Sequence, residues 1–126
     1  DPESIIERIY TDGIDPSDPI NTKIEHLKRW FIEDATPQEI KDSISLITGT
    51  TNLPGTMRIK ISKRLYGEAS ALPMIHSCSA HIEMSNILIP VDPENTKKLS
   101  DEKYENFVIS WKAAIAHGLS SGFQAV

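Results

Sequence analysis

Thr56-Met57-Arg58-Ile59-Lys60-Ile61-Ser62 is where the chain changes its period. Met57, Ile59 and Ile61 alternate with Arg58, Lys60 and Ser62, so an extended backbone here puts its apolar side chains on one face. Upstream of this stretch apolar residues recur every three or four positions, as a helix requires. A half-buried strand arriving after helices sets the fold class. The chain reads as α+β, with helices packed on a small sheet of about three or four strands.

Working back from that strand, the nearest helix is the most clearly announced. Thr36-Pro37-Gln38-Glu39 places a capping hydroxyl, a proline at the first helical position and a glutamate at the third. Ile40, Ile44 and Ile47 supply an apolar stripe, and Gly49 stands where a left-handed stop is expected. A second helix is expected to begin at Thr22, through the box Thr22-Lys23-Ile24-Glu25, and to bury Ile24, Leu27, Trp30 and Phe31. The first ten residues read as a short helix, with Asp1 as its cap and Ile5, Ile6 and Ile9 on one face. Residues 11–19, TDGIDPSDP, are rich in turn formers and read as a linker or hinge around Gly13, Pro16 and Pro19. A division follows, with residues 1–20 as an N-terminal helix and linker and residues 21–126 as the domain.

Working forward, a second extended run spans Leu72 to Cys78. A third spans His81 to Ile89, closed by Pro90, Asp92 and Pro93. The last helix is expected to be capped by Ser100, with Asp101 and Glu102 at its positive end. Its apolar stripe is Tyr104, Phe107, Val108, Trp111 and Ile115, and Gly118 is its expected stop. Residues 119–126 form a short tail containing Phe123.

The chain has 126 residues, room for one core at roughly 100–200 residues per domain. It holds one cysteine, which excludes an intramolecular disulfide framework and a Cys-rich zinc site. A net charge of −5 argues against nucleic acid or an anionic membrane as partner. No apolar run approaches the ~20 residues of a membrane span. The start, Asp1-Pro2-Glu3-Ser4, lacks Met and any signal-peptide pattern, so the chain reads as an excised or processed piece. One reduced cysteine fits an intracellular setting, cytoplasmic or nuclear.

Cys78 lies in Met74-Ile75-His76-Ser77-Cys78-Ser79-Ala80-His81. A free cysteine commonly packs as a small hydrophobe, but the small and polar neighbours here are unlike a core strand. If the segment is extended, His76 and Cys78 share a face, and the imidazole favours the thiolate. Two residues apart on a strand, the pair is poorly placed for protease-like proton transfer, which ordinarily uses distant segments and a third orienting group. Thiol exchange with a thioester asks for less acid–base help. His76, Cys78 and His81 form an irregular H-x-C-x-x-H trio with no fourth ligand at a familiar spacing, so no metal and no cofactor are assigned. His26 and His117 read as surface or capping residues on helices.

Three stretches resemble the C-terminal lobe of the HECT ubiquitin ligases. Ile47-Thr48-Gly49-Thr50-Thr51-Asn52-Leu53-Pro54 is similar to F-V-T-G-[TS]-[TS]-x-[VL]-P. Leu72-Pro73, followed after two residues by His76-Ser77-Cys78, is similar to L-P-x-A-H-T-C-F. Gly122-Phe123-Gln124-Ala125-Val126 resembles the family's terminal G-F-G-x-x, with the phenylalanine fourth from the end. Trp30-Phe31 followed by Thr36-Pro37-Gln38-Glu39 resembles W-F-W-x-x-V-x-x-F-x-x-E-E. The resemblance runs in order from about residue 20 to 126. There are departures: Ser77 stands for Thr, Ser79 for Phe, Ile82-Glu83-Met84-Ser85 for L-x-L-P, and Asn86 to Leu99 is longer than usual.

The resemblance implies that Cys78 accepts ubiquitin as a thioester from a ubiquitin-conjugating enzyme and passes it to a lysine of a protein substrate. His76 and Ser77 are implied as auxiliary residues, orienting the loop or helping proton movement. Phe123 is implied as the anchor of a mobile tail that helps juxtapose lobes. The conjugating enzyme would dock on a larger N-terminal lobe, with the 11–19 segment as hinge, and the isolated lobe is expected to be monomeric and weak or inactive alone. A competing expectation is a degenerate lobe that binds ubiquitin without transferring it, suggested by Ser79 and Ser85. An unrelated cysteine hydrolase would need a histidine from elsewhere in the fold.

Overall fold

The computed structural model describes residues 2–50, 55, 57–64, 73–85 and 102–120, and of Cys78 only the backbone. In chain order the elements are α1 (Pro2–Glu7), β1 (Ile9–Thr11), α2 (Ile20–Glu33), α3 (Pro37–Thr48), β2 (Ile59–Lys63), β3 (Met74–His76), a 3-10 turn (Ser77–Ser79), β4 (His81–Met84) and α4 (Glu102–Ser120). The α+β class with a small sheet is the observed one. Among the described residues, no helix is long and apolar enough to cross a membrane.

The four strands lie in the order β1-β2-β4-β3. β1 and β4 each run parallel to β2, while β3 and β4 form an antiparallel pair. Ile61 is opposite Ile82 and Ile75 is opposite Ile82 on the other side, so these side chains share a face. Ile59, Ile61, Ile82 and Met84 on that face are buried with Ile24, Leu27, Trp30 and Phe31 of α2 and Phe107 and Trp111 of α4. The aromatic centre is knit by edge contacts, with Trp30 and Trp111 centroids 6.3 Å apart and Phe31 and Trp111 6.4 Å apart, geometry that adds to the area term. The opposite face is polar: Lys60 is opposite His81, Ser62 is opposite Glu83, and His76 is opposite His81.

α3 forms as its sequence requires. Thr36 Oγ1 accepts from the Glu39 N–H at 3.1 Å and Glu39 Oε1 accepts from the Thr36 N–H at 2.9 Å, the reciprocal box. Gly49 closes the helix at φ 76°, a conformation that favours glycine. Its buried residues are Ser43, Leu46, Ile47 and Thr48, so Ile40 and Ile44 of the expected stripe sit at the margin, half-buried against the core.

Other expectations are corrected. The N-terminal helix ends at Glu7, and Ile9–Thr11 is a strand. Its carbonyl neighbour Arg8 accepts from the Ile59 N–H at 2.8 Å, and the Asp12 N–H donates to Ile61 at 3.1 Å. Parallel pairing with β2 thus claims residues that local preference alone would leave helical. Ile5 and Ile20 are buried in the common core, so α1 and β1 share one core and one sheet with the later elements. α2 starts at Ile20, two residues before the expected Thr22 box, and no side chain caps it at Pro19. Asp18 Oδ1 accepts from the Ile20 N–H instead, at 3.0 Å.

Gly118 does not stop α4, which continues to Ser120. Its role is close approach: a Cβ there would lie 2.8 Å from Leu46 Cδ2, so the missing side chain lets α4 settle on α3. The expected cap Ser100, residues 86–89 of the third extended run and the terminal tail from 121 lie outside the described residues.

Candidate functional site

β3 and β4 form a hairpin, and the four residues Ser77–Ala80 turn it. Cys78 has its backbone in the middle of the 3-10 turn, between half-buried Ser77 and exposed Ser79. The extended segment on which the expected shared face of His76 and Cys78 rests stops at His76, because the backbone turns at Ser77 and two-residue alternation ends there. The turn packs against α3, as does β3.

Ala80 completes the turn at φ 47° and ψ 54°. A left-handed non-glycine residue costs on the order of 1 kcal/mol, so the surroundings must hold it. They do so through burial and two hydrogen bonds. Ala80 is buried, its carbonyl accepts from the Lys60 N–H at 3.0 Å, and its own N–H donates to the Ser77 carbonyl at 3.4 Å. The residue two positions after Cys78 is therefore locked in a strained conformation by β2. Nothing in the sequence of an alanine announces this, and only the Ser-rich composition hinted at a turn.

The first motif is also knit locally. Thr48 is buried, and its hydroxyl donates to the Ile44 carbonyl at 2.7 Å. The Thr50 N–H donates back to Thr48 Oγ1 at 3.2 Å across left-handed Gly49. Thr-Gly-Thr is thus a helix terminus in which each residue type has a geometric use. α3, which carries this terminus, is the helix against which the Cys78 turn rests.

His76, at the end of β3, lies directly across from His81, with ring centroids 5.3 Å apart. His76 Nε2 is 3.3 Å from Glu83 Oε1, in ion-pair range but not aligned as a hydrogen bond. That nitrogen is buried and has no hydrogen-bond partner among the described residues. His81 Nε2 shares a hydrogen bond with Ser62 Oγ at 2.6 Å. Burial pulls the His81 imidazole below its usual 6.5, helped by the neighbouring Lys60 and His76, while Glu83 and Asp12 oppose the shift. The ring is accordingly held toward its neutral, ligating form. Glu83 was not among the residues the sequence singled out. Its signal was the i, i+2 relation to His81, which becomes meaningful only once β4 is known to be a strand facing His76.

Of the expected auxiliary residues, His76 is therefore engaged with His81 and Glu83, and Ser77 opens the turn beside Cys78. Phe123 and the Cys78 thiol lie outside the described residues. The proposed hinge residues lie in a well-bonded segment. Gly13 adopts φ 69°, the Ser17 N–H donates to Asp15 Oδ1 at 2.8 Å, and Asn21 Nδ2 donates to the carbonyls of Asp15, Pro16 and Asp18. Asp18 Oδ2 also pairs with Lys63 of β2 at 3.0 Å. Close by, Lys23 of α2 donates to the carbonyl of Ser85, just beyond β4. Its ammonium is pulled below the usual 10.5 by burial. His117 lies exposed in the last turn of α4, where a basic residue suits the negative end of the dipole. His26 is half-buried, edge-on to Tyr104 at 5.5 Å.

Compared with known proteins, the chain matches no family model and no curated sequence.

Proposed function

We propose that the chain is the catalytic lobe of a HECT-type ubiquitin ligase, with Cys78 as the ubiquitin acceptor. The reading rests on three ordered sequence motifs. The observation that carries it furthest is the packing of the Cys78 turn on α3, the helix that ends in the Thr48-Gly49-Thr50 motif. The turn that carries one motif thus rests on the helix that carries another.

In this reading the Cys78 thiolate attacks the carbonyl carbon of a ubiquitin thioester carried by a conjugating enzyme. The conjugating enzyme's thiolate leaves, and the acyl group rests on Cys78. A substrate lysine amine then attacks the same carbon, the Cys78 thiolate departs, and the amine loses a proton to give an isopeptide bond. The first step exchanges one thiolate for another and is near balance, so position matters more than acid–base power. A turn held by strained Ala80 and backed by α3 presents its middle residue in a fixed place. Pairing His76 with Glu83 leaves it to orient the hairpin rather than to act as a base at the thiol. An N-terminal lobe supplying the conjugating-enzyme dock and an intracellular location, cytoplasmic or nuclear, belong to the same reading.

The test uses ubiquitin activated as a C-terminal thioester of a small thiol, mixed with the full chain and analysed on non-reducing gels. The expected product is a one-to-one adduct that reductant cleaves and that Cys78→Ala abolishes. No adduct, with the thiol also unreactive toward a small alkylating reagent in the folded protein, would support the non-transferring ubiquitin-binding module instead.

A further inference from the structure

We infer that His76, His81 and Glu83 form a binding site for one divalent transition-metal ion of the zinc class on the polar face of the β3–β4 hairpin. This does not rest on the ubiquitin reading. One ligand atom from each of the three side chains lies within 4.8 Å of the others. His76 and His81 are opposite partners across the hairpin, and Glu83 follows two residues along β4 on the same face. Three donors are therefore fixed by strand register rather than by a flexible loop.

Zinc bonds imidazole nitrogen and carboxylate oxygen at about 2.0–2.2 Å, so two ligands on one ion stand roughly 3.0–3.5 Å apart. The His76–Glu83 separation of 3.3 Å already has that value. The His76 nitrogen at that contact is buried and has no hydrogen bond among the described residues, an arrangement that costs free energy unless something takes up its lone pair or proton. A shared metal ion would satisfy it. If His81 ligates through Nδ1, its existing 2.6 Å contact with Ser62 Oγ becomes the orienting hydrogen bond that ligating histidines commonly make.

Two imidazoles and one carboxylate, on half-buried side chains, form a three-ligand set that leaves a fourth position for water or another donor. The donor mix favours zinc-like ions over calcium or magnesium, which prefer all-oxygen shells. Lys60, opposite His81 on β2, counts against a cation, but its ammonium is paired with Asp12 at 4.0 Å. The ion would clamp together the two strands whose turn carries Cys78.

The experiment titrates Zn²⁺ into the Cys78→Ser chain, which removes the thiol as a competing ligand, and reads uptake by competition with a chromophoric chelator. The expected result is saturable one-to-one binding, weakened about tenfold or more by His81→Asn and by Glu83→Gln. Zn²⁺ should also raise the melting temperature of the Cys78→Ser chain and leave that of the further Glu83→Gln variant unmoved. Should His81→Asn fail to fold by circular dichroism, Glu83→Gln on the solvent side decides the matter. Absence of saturable binding, binding indifferent to both substitutions, or binding by the wild-type chain that Cys78→Ser alone abolishes would overturn the site.

Discussion

Thr36→Ala should destabilise the protein by about 1 kcal/mol, the usual worth of an N-cap. Thr36 Oγ1 receives the Glu39 N–H at 3.1 Å, and the alanine leaves that donor to water. Because the site is exposed, water replaces the lost partner, which keeps the cost near the cap value rather than that of a buried orphan. Glu39→Gln is a finer probe. Glutamine can still accept from the Thr36 N–H, so the substitution removes only the charge at the positive end of α3 and the 3.4 Å pair with Lys112 of α4. That charge is worth about 0.3–1 kcal/mol. The Thr36 N–H holds the Glu39 carboxyl below its usual 4.5, with Lys112 helping and burial opposing. Since the folded-state value lies below the unfolded one, the charge-dependent stability is fully present above about pH 4.5 and is lost as pH falls through the folded-state value. The gap between wild type and Glu39→Gln should therefore be widest near neutrality and close in acid. Urea unfolding followed by the fluorescence of Trp30 and Trp111, both fully buried, measures each variant at about pH 7 and about pH 3. With a slope of about 1–3 kcal/mol/M, a 1 kcal/mol cost moves the midpoint by roughly 0.3–1 M. A midpoint unmoved by Thr36→Ala, or a Glu39→Gln gap equal at both pH values, would refute the argument.

Two further outcomes follow from contacts between α4 and its neighbours. Gly118→Ala gains about 1 kcal/mol in helix propensity but forces a Cβ to within 2.8 Å of buried Leu46, and overpacking of about 1–3 kcal/mol outweighs the gain. The variant should melt lower than wild type, whereas in a Leu46→Ala background the same change should raise the melting temperature. Tyr104 donates its hydroxyl to Asp34 and lies under the Arg29 guanidinium at 3.9 Å; Tyr104→Phe should cost about 1 kcal/mol at neutral pH. Burial, followed by Asp34, raises the phenol above its usual 10.0. The contribution is therefore full below about pH 10 and lost as the pH rises through the folded-state value, and melts at neutral and alkaline pH should show the gap narrowing.

The elements best read from the sequence are those whose causes are local. α3 is capped, started and stopped by residues within a few positions of its ends, and the structure uses Thr36, Pro37, Glu39 and Gly49 as their spacing implies. The α2 stripe of Ile24, Leu27, Trp30 and Phe31 is buried as its period requires. By itself the sequence also determined the α+β class, because the change of period at Ile59 to Ile61 distinguishes strand from helix without reference to any partner. It isolated the Cys78 segment by composition.

Tertiary structure decided whatever depends on a partner distant in sequence. Ile9–Thr11 is a strand because β2 offers it hydrogen bonds, a fact invisible to a ten-residue window. Gly118, which has the residue type of a stop, instead lies within a helix, at a point where Leu46 occupies the space a side chain would fill. His76, His81 and Glu83 are three scattered polar residues in the chain. The β3–β4 register brings them to one face, and the same hairpin places Cys78 in a turn rather than on a strand. Pairing across strands is a long-range choice, fixed by which apolar faces can be buried together, and no local preference encodes it.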